Sequence, residues 1–201
     1  MGSPFGLDAT RKTWALPKAL ISHYSSFLEA RCSTPTFGMP QQPIELTHDD
    51  PKVFSLLVEW MLYGTYTTSP NLSADNTLDA DAWVLGDKLK VANFQNLAMD
   101  HLYRQHNGLF NQKPVTPAAI RHACANTPAG SLLRQFYFDI LAQNYTKPEM
   151  LKGTIAELDA VLQEYPEART FLLESLRKDP AQRAFVKSEA NYMVKQQVMD
   201  K

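Results

Sequence analysis

Five histidines (His23, His48, His101, His106 and His122) and two cysteines (Cys32 and Cys124) are the side chains that could hold a metal ion. His101 and His106 are five positions apart, and His122 and Cys124 are two apart. A zinc site wants two ligand pairs at short spacing, and neither pair supplies that pattern. These histidines are therefore expected to be solvated or capping groups, and no metal or other cofactor is expected. Cys32 or a serine could act as a nucleophile only beside a base and an orienting group. No Gly-x-Ser-x-Gly stretch occurs, and Cys32 has no recognisable local signature. The eight glycines are scattered, so no phosphate-cradling loop is expected. Asp49-Asp50 could be drawn as an acid/base couple, but helix capping accounts for both carboxylates. No catalytic residue is assigned, and the chain is expected not to be an enzyme.

The charge balance narrows the partners. Lys and Arg number 20 against 21 Asp and Glu, a net charge of −1. Arg11-Lys12 and Arg177-Lys178 are the adjacent basic pairs, and neither grows into a patch. Without a long-range field or a basic stripe, neither nucleic acid nor a membrane surface is an expected partner. Two cysteines make no disulfide framework, and no apolar run approaches about 18 residues. An intracellular protein, cytoplasmic or nuclear, is expected.

The elements that must position these groups centre on Asp50 to Gly64. Asp50 is a good N-cap, Pro51 suits the first helical position, and Gly64 suits a left-handed C-terminal residue. Between them Lys52, Ser55 and Glu59 are the strongly polar positions. A helix apolar nearly all round is expected to be buried, with Phe54, Leu57, Trp60, Met61 and Tyr63 in the core. A short strand over Pro43–Thr47 is expected before it. Leu78, Ala82, Trp83, Leu85 and Leu89 share one helical stripe after it, and Phe94, Leu97, Ala98 and Leu102 another. Trp83, Leu85 and Leu89 join the expected core. Nearer the N-terminus, Thr13–Leu16 can form a short strand with Phe5–Leu7 as its hairpin partner. Pro17 starts a helix whose Ala19, Leu20, Tyr24 and Phe27 share a face. Trp14 is open between core and interface.

From His106 the pattern is helical. Thr116-Pro117 and Ser131 each open a helix, the second carrying Leu133, Phe136, Tyr137, Ile140 and Leu141. Thr154 with Glu157 reads as a capping box ahead of Ile155, Leu158, Val161, Leu162 and Tyr165. Pro166 and Asp179-Pro180 punctuate two more helices. The final stretch, Ala181 to Lys201, surrounds Phe185, Tyr192, Met193 and Val198 with polar residues. It is expected to project from the body or to fray. The chain therefore divides into residues 1–105, a compact α+β unit, and residues 106–201, an all-α region packed on it.

Trp14-Ala15-Leu16-Pro17-Lys18-Ala19-Leu20-Ile21-Ser22, Ile44-Glu45-Leu46, Asp49-Asp50-Pro51 with Phe54, Trp60-Met61-Leu62-Tyr63-Gly64 and Leu85-Gly86-Asp87-Lys88-Leu89 together resemble the BTB/POZ domain. The likeness is greatest to the divergent BTB proteins of filamentous fungi, and it covers Lys12 to Tyr103. The resemblance implies an α+β, mostly helical fold: a short sheet flanked by helices, with an all-α C-terminal extension. It implies a protein–protein interaction module, with protein partners that are either a second copy or a cullin scaffold of a ubiquitin ligase. The dimer surface it implies maps to Trp14, Leu16, Ala19, Leu20 and His23. Its first strand is shortened here, which bears on strand exchange. Cullin-binding members present a hydrophobic-x-Glu motif ahead of the Ile44–Leu46 strand. Arg31-Cys32-Ser33 stands there and does not fit, whereas Phe27-Leu28-Glu29 matches in letters but lies earlier. Two other readings stand beside this one. The chain could be a structural subunit docking through its C-terminal helices, or an enzyme of unrecognised type with a pocket between its halves.

Overall fold

The computed structural model describes residues 12–33, 43–68, 77–108, 112–179 and 186–195. Among them the chain forms α1 (Lys18–Tyr24), α2 (Ser26–Ser33), α3 (Pro51–Tyr63), α4 (Leu78–Leu89), α5 (Ala92–Asn107), α6 (Pro117–Asn126), α7 (Leu132–Asn144), α8 (Ile155–Glu164) and α9 (Pro166–Arg177). A single 3-10 turn, Glu189–Tyr192, follows.

No sheet forms among the described residues, which overturns the α+β expectation. The β pairing there is one isolated parallel bridge, Val115 to Leu151. Residues 13–16 and 43–46 do not pair as strands. A strand needs a neighbour to satisfy its backbone, and Pro43 brings no N–H to a ladder. Phe5–Leu7, the expected hairpin partner, lies outside the described residues. The architecture is helix on helix.

Local chemistry sets the helix ends. The Asp50 carboxylate accepts from the Lys52 N–H at 2.7 Å, and Pro51 fills the first helical position. At the other end Gly64 takes φ +73°, closing α3 with its N–H on the Trp60 carbonyl. Thr154 and Glu157 form the reciprocal capping box that opens α8. Thr116 and Ser131 cap α6 and α7 through their hydroxyls.

The α3 helix is one-sided despite its composition. Val53, Leu56, Leu57, Trp60 and Met61 are buried, at the i, i+3, i+4, i+7 and i+8 positions of one face. Phe54 is half-buried. Tyr63, expected in the core, is 75% exposed, and its neighbour Leu62 is 56% exposed. Both fall off the buried stripe, so position on the helix overrides residue type. Trp83, Leu85 and Leu89 of α4 are buried as their stripe requires. Ile155, by contrast, opens α8 77% exposed.

The tightest helix contact lies between α4 and α5. Gly86 faces Gln95 so closely that a Cβ there would sit 3.0 Å from the Gln95 Cβ. The boundary expected between residues 105 and 106 falls inside α5, which runs on to Asn107. Its buried His106 lies tilted against Phe136 and edge-on to Tyr137 of α7, with centroids 6.2 and 6.0 Å away. The α5 helix therefore belongs to both halves. Residues 186–195 do not project: Tyr192 is fully buried against α7.

Candidate functional site

The described surface carries a cleft of about 620 Å³ at the N-terminal end. Residues 12–16 and 43–47 run along it, with Ile21 of α1, Leu28 and Cys32 of α2, and Phe54 of α3 completing its wall. Pro17 starts α1, and the chain breaks at Ser25 before α2 begins. The Ser25 hydroxyl caps α2 through the Leu28 N–H at 3.0 Å and donates to the Leu89 carbonyl at 2.5 Å. This buried serine ties the helical pair to the end of α4.

Trp14 stands against Phe54 with ring centroids 4.7 Å apart, and the Lys12 ammonium lies 5.0 Å over the indole. The Lys12 ammonium also donates to the Ser55 hydroxyl at 3.3 Å. Across the opening, Lys18 donates to the Cys32 carbonyl at 2.6 Å, satisfying an α2 C-terminal acceptor. Asp49 accepts two bonds from Lys88 at 2.7 and 2.9 Å. The apolar floor is thus ringed by cations and carboxylates engaged in structural contacts. Such a surface can bind an apolar segment.

The five residues of the expected dimer surface separate. Trp14 and Leu16 are half-buried and line the cleft. Leu20 is half-buried and packs on the core. Ala19 and His23 are exposed, one turn apart on α1, with His23 edge-on to Tyr24 at 4.8 Å. Neither Trp60 nor Tyr63 lines the cleft, and the cleft does not lie between the two halves.

Three of the other histidines have structural partners, and His48 is exposed in the turn ahead of α3. His101 Nδ1 lies 3.1 Å from Asp79, and His122 Nε2 lies 2.8 Å from Asp81. His106 Nδ1 faces the Lys113 carbonyl at 2.9 Å, and burial holds its pKa below the usual range. Among the described residues no three His, Cys, Asp or Glu gather as a metal site. Asp79, 2% exposed, also accepts from the Tyr66 hydroxyl at 2.9 Å and from Gln105 at 2.5 Å. Burial first, then the charge of Asp79, pushes the Tyr66 phenol far up. The cluster pins the chain after α3 to α4 and α5. Neither cysteine is in a disulfide: Cys32 is buried beside the cleft and Cys124 is buried in α6. Burial raises the Cys124 thiol to about 11, with the Arg134 guanidinium opposing.

Sequence reasoning missed a second constellation. Asp139 of α7, 3% exposed, accepts from the Tyr192 hydroxyl at 2.6 Å. Its one advance signal is a lone acid inside the apolar run Phe136 to Leu141. No helix of the described residues is long and apolar enough to cross a membrane. Comparisons with family models, with curated proteins and with solved structures find no match.

Proposed function

We propose that the chain is a non-enzymatic protein-interaction module that self-associates through its N-terminal cleft. The observation that carries this reading is the cleft itself: about 620 Å³, floored by Ile21, Leu28 and Phe54 and bordered by two non-helical stretches that take part in no β-bridge. Apolar surface removed from water contributes ~25 cal/mol per Å² before ordering costs. The rim carries charges of both signs, Lys12 and Lys18 as well as Glu45 and Asp49. A net charge of −1 brings no long-range repulsion between copies. The order of segments resembling BTB/POZ from Lys12 to Tyr103 supports the same class of activity. Thiols at Cys32 and Cys124 suit a reducing compartment, the cytoplasm or nucleus.

A cullin scaffold has weaker support as the partner. Of Phe27-Leu28-Glu29, Leu28 is buried inside α2 and Phe27 is half-buried, which leaves Glu29 presented alone.

Size-exclusion chromatography with light scattering tests the proposal. A dimer mass is expected at tens of micromolar, with Leu16→Asp reverting it to monomer while its thermal melt stays cooperative. A monomeric mass for the native chain at that concentration overturns self-association.

A further inference from the structure

The segment from Val186 to Lys195 lies across α5 and α7 and is held there much as a bound peptide would be. Tyr192 is its anchor. The ring stands edge-on to Phe136 with centroids 5.3 Å apart, and Tyr103 flanks it at 6.3 Å. The hydroxyl donates to Asp139 Oδ2 at 2.6 Å and accepts from the Lys187 N–H at 3.0 Å. Two residues on, Asn96 of α5 reads the main chain of Val194 in both directions. Its amide nitrogen donates to the Val194 carbonyl at 3.0 Å, and its oxygen accepts the Val194 N–H at 2.7 Å. Two turns further along α5, the Tyr103 hydroxyl donates to the Lys187 carbonyl at 3.1 Å. The Val194 and Met193 side chains are half-buried against the core. One buried aromatic at the end of a 3-10 turn, a side-chain amide pairing with backbone and an aliphatic contact are the parts of a short-peptide site.

The hold is local. Tyr192 is the fully buried side chain of this segment, while Lys187, Ser188, Ala190, Asn191 and Lys195 are exposed. Glu189 is set against Asp100 of α5; burial and that like charge raise its pKa. A short stretch with few buried contacts and a like-charge neighbour opens at a small fraction of the global free energy.

We propose that the α5–α7 groove is a recognition site for a peptide that presents tyrosine at the end of a 3-10 turn, with an aliphatic residue two positions later, and that residues 186–195 occupy it as an intramolecular stand-in. This goes beyond the cleft reading and shares no residue with it. Asp139 sets the specificity. A phenylalanine would leave that buried carboxylate with the Lys187 ammonium at 4.0 Å, a group the segment itself supplies. A phosphotyrosine would press a second anion onto the carboxylate and is excluded. The tethered segment competes at an effective concentration in the millimolar range, so a partner gains entry when the tether is loosened.

The test uses the full chain and a fluorescein-labelled synthetic peptide with the sequence of residues 186–195. Two variants loosen the tether. Tyr192→Ala removes the anchor, and Val194→Pro removes the N–H that Asn96 accepts. The extended ψ of 135° at Met193 is compatible with a following proline. The peptide is expected to bind both loosened chains about ten-fold tighter than the native one. Replacing its tyrosine by phenylalanine should weaken binding about ten-fold, and phosphotyrosine should abolish it. Asn96→Ala in the loosened chains should abolish it as well. Equal affinity for the three peptides, or no binding to a loosened chain that melts cooperatively, overturns the proposal. If neither loosened chain melts cooperatively, the segment is an integral part of the core, which also overturns it.

Discussion

The Tyr192 hydroxyl and the Asp139 carboxylate meet at 2.6 Å, both buried, on segments 53 residues apart. Burial raises the Asp139 pKa, while the hydrogen bond from Tyr192 and the charge of Lys187 pull it down. The pair fastens the end of the described chain to the middle of α7.

Tyr192→Phe keeps the ring between Phe136 and Tyr103 and takes away the donor. A buried acceptor left without its partner costs about 1–3 kcal/mol. Urea unfolding is expected to show a loss in that range, with faster amide exchange confined to residues 186–195. A loss under about 0.3 kcal/mol would mean that the hydroxyl bond contributes nothing net.

His106 makes stability depend on pH. In the unfolded chain it titrates near about 6.5, and burial lowers the folded value. Folding therefore favours the neutral ring. Its contribution is intact above about pH 6.5 and is lost as the pH falls toward the folded pKa. His106→Gln does not titrate and can still donate to the Lys113 carbonyl. Between pH 7 and 5 the urea midpoint of the native chain should fall more than that of the variant. Parallel curves would show that the ring is charged and accommodated in the folded state.

Arg134 joins three elements. Its guanidinium binds Glu167 of α9 and the Cys124 and Thr127 carbonyls at the end of α6, and the side chain is 11% exposed. Arg134→Met strands Glu167 and two carbonyls and is expected to destabilise by about 3–5 kcal/mol. Arg134→Lys keeps the charge but not the fork, and should recover only part of that loss. Full recovery by lysine in thermal melts would show that charge alone matters.

Gly86→Ala sets two opposed effects against each other. Alanine gains about 1 kcal/mol of helix propensity. Its Cβ would press on the Gln95 backbone, 3.1 Å from both N and Cα, and overpacking costs about 1–3 kcal/mol. The net expectation is a loss of about 1 kcal/mol, read as a lower thermal midpoint. A variant as stable as the native chain would mean that α5 can move away from α4.

What could be read from the sequence is what is settled over four or five residues. Asp50, Pro51 and Gly64 carry their own hydrogen-bonding and backbone preferences, and α3 begins and ends where they dictate. Thr154 and Glu157 likewise need only each other. The expected strand at Pro43–Thr47 failed because a strand is defined by a neighbour, and residues 12–16 make no bridge to it. Tyr63 was misplaced because aromatic character says nothing of angular position, which the Val53–Met61 stripe decides. Of the expected dimer surface, Trp14 and Leu16 line the cleft, which no local pattern announced, and Ala19 and His23 face solvent beside it on α1. The Asn96–Val194 pairing spans 98 residues, and no local rule reaches so far.

Cys32 beside the cleft and Cys124 in α6 fall one in each half of the chain, and both are buried. A pulse of maleimide followed by peptide mass mapping would therefore clock the opening of each half separately, with no probe engineered in. Under that assay the native molecule carries two built-in reporters: modification of Cys32 alone would mark breathing at the N-terminal opening, and simultaneous modification of both would mark unfolding of the whole.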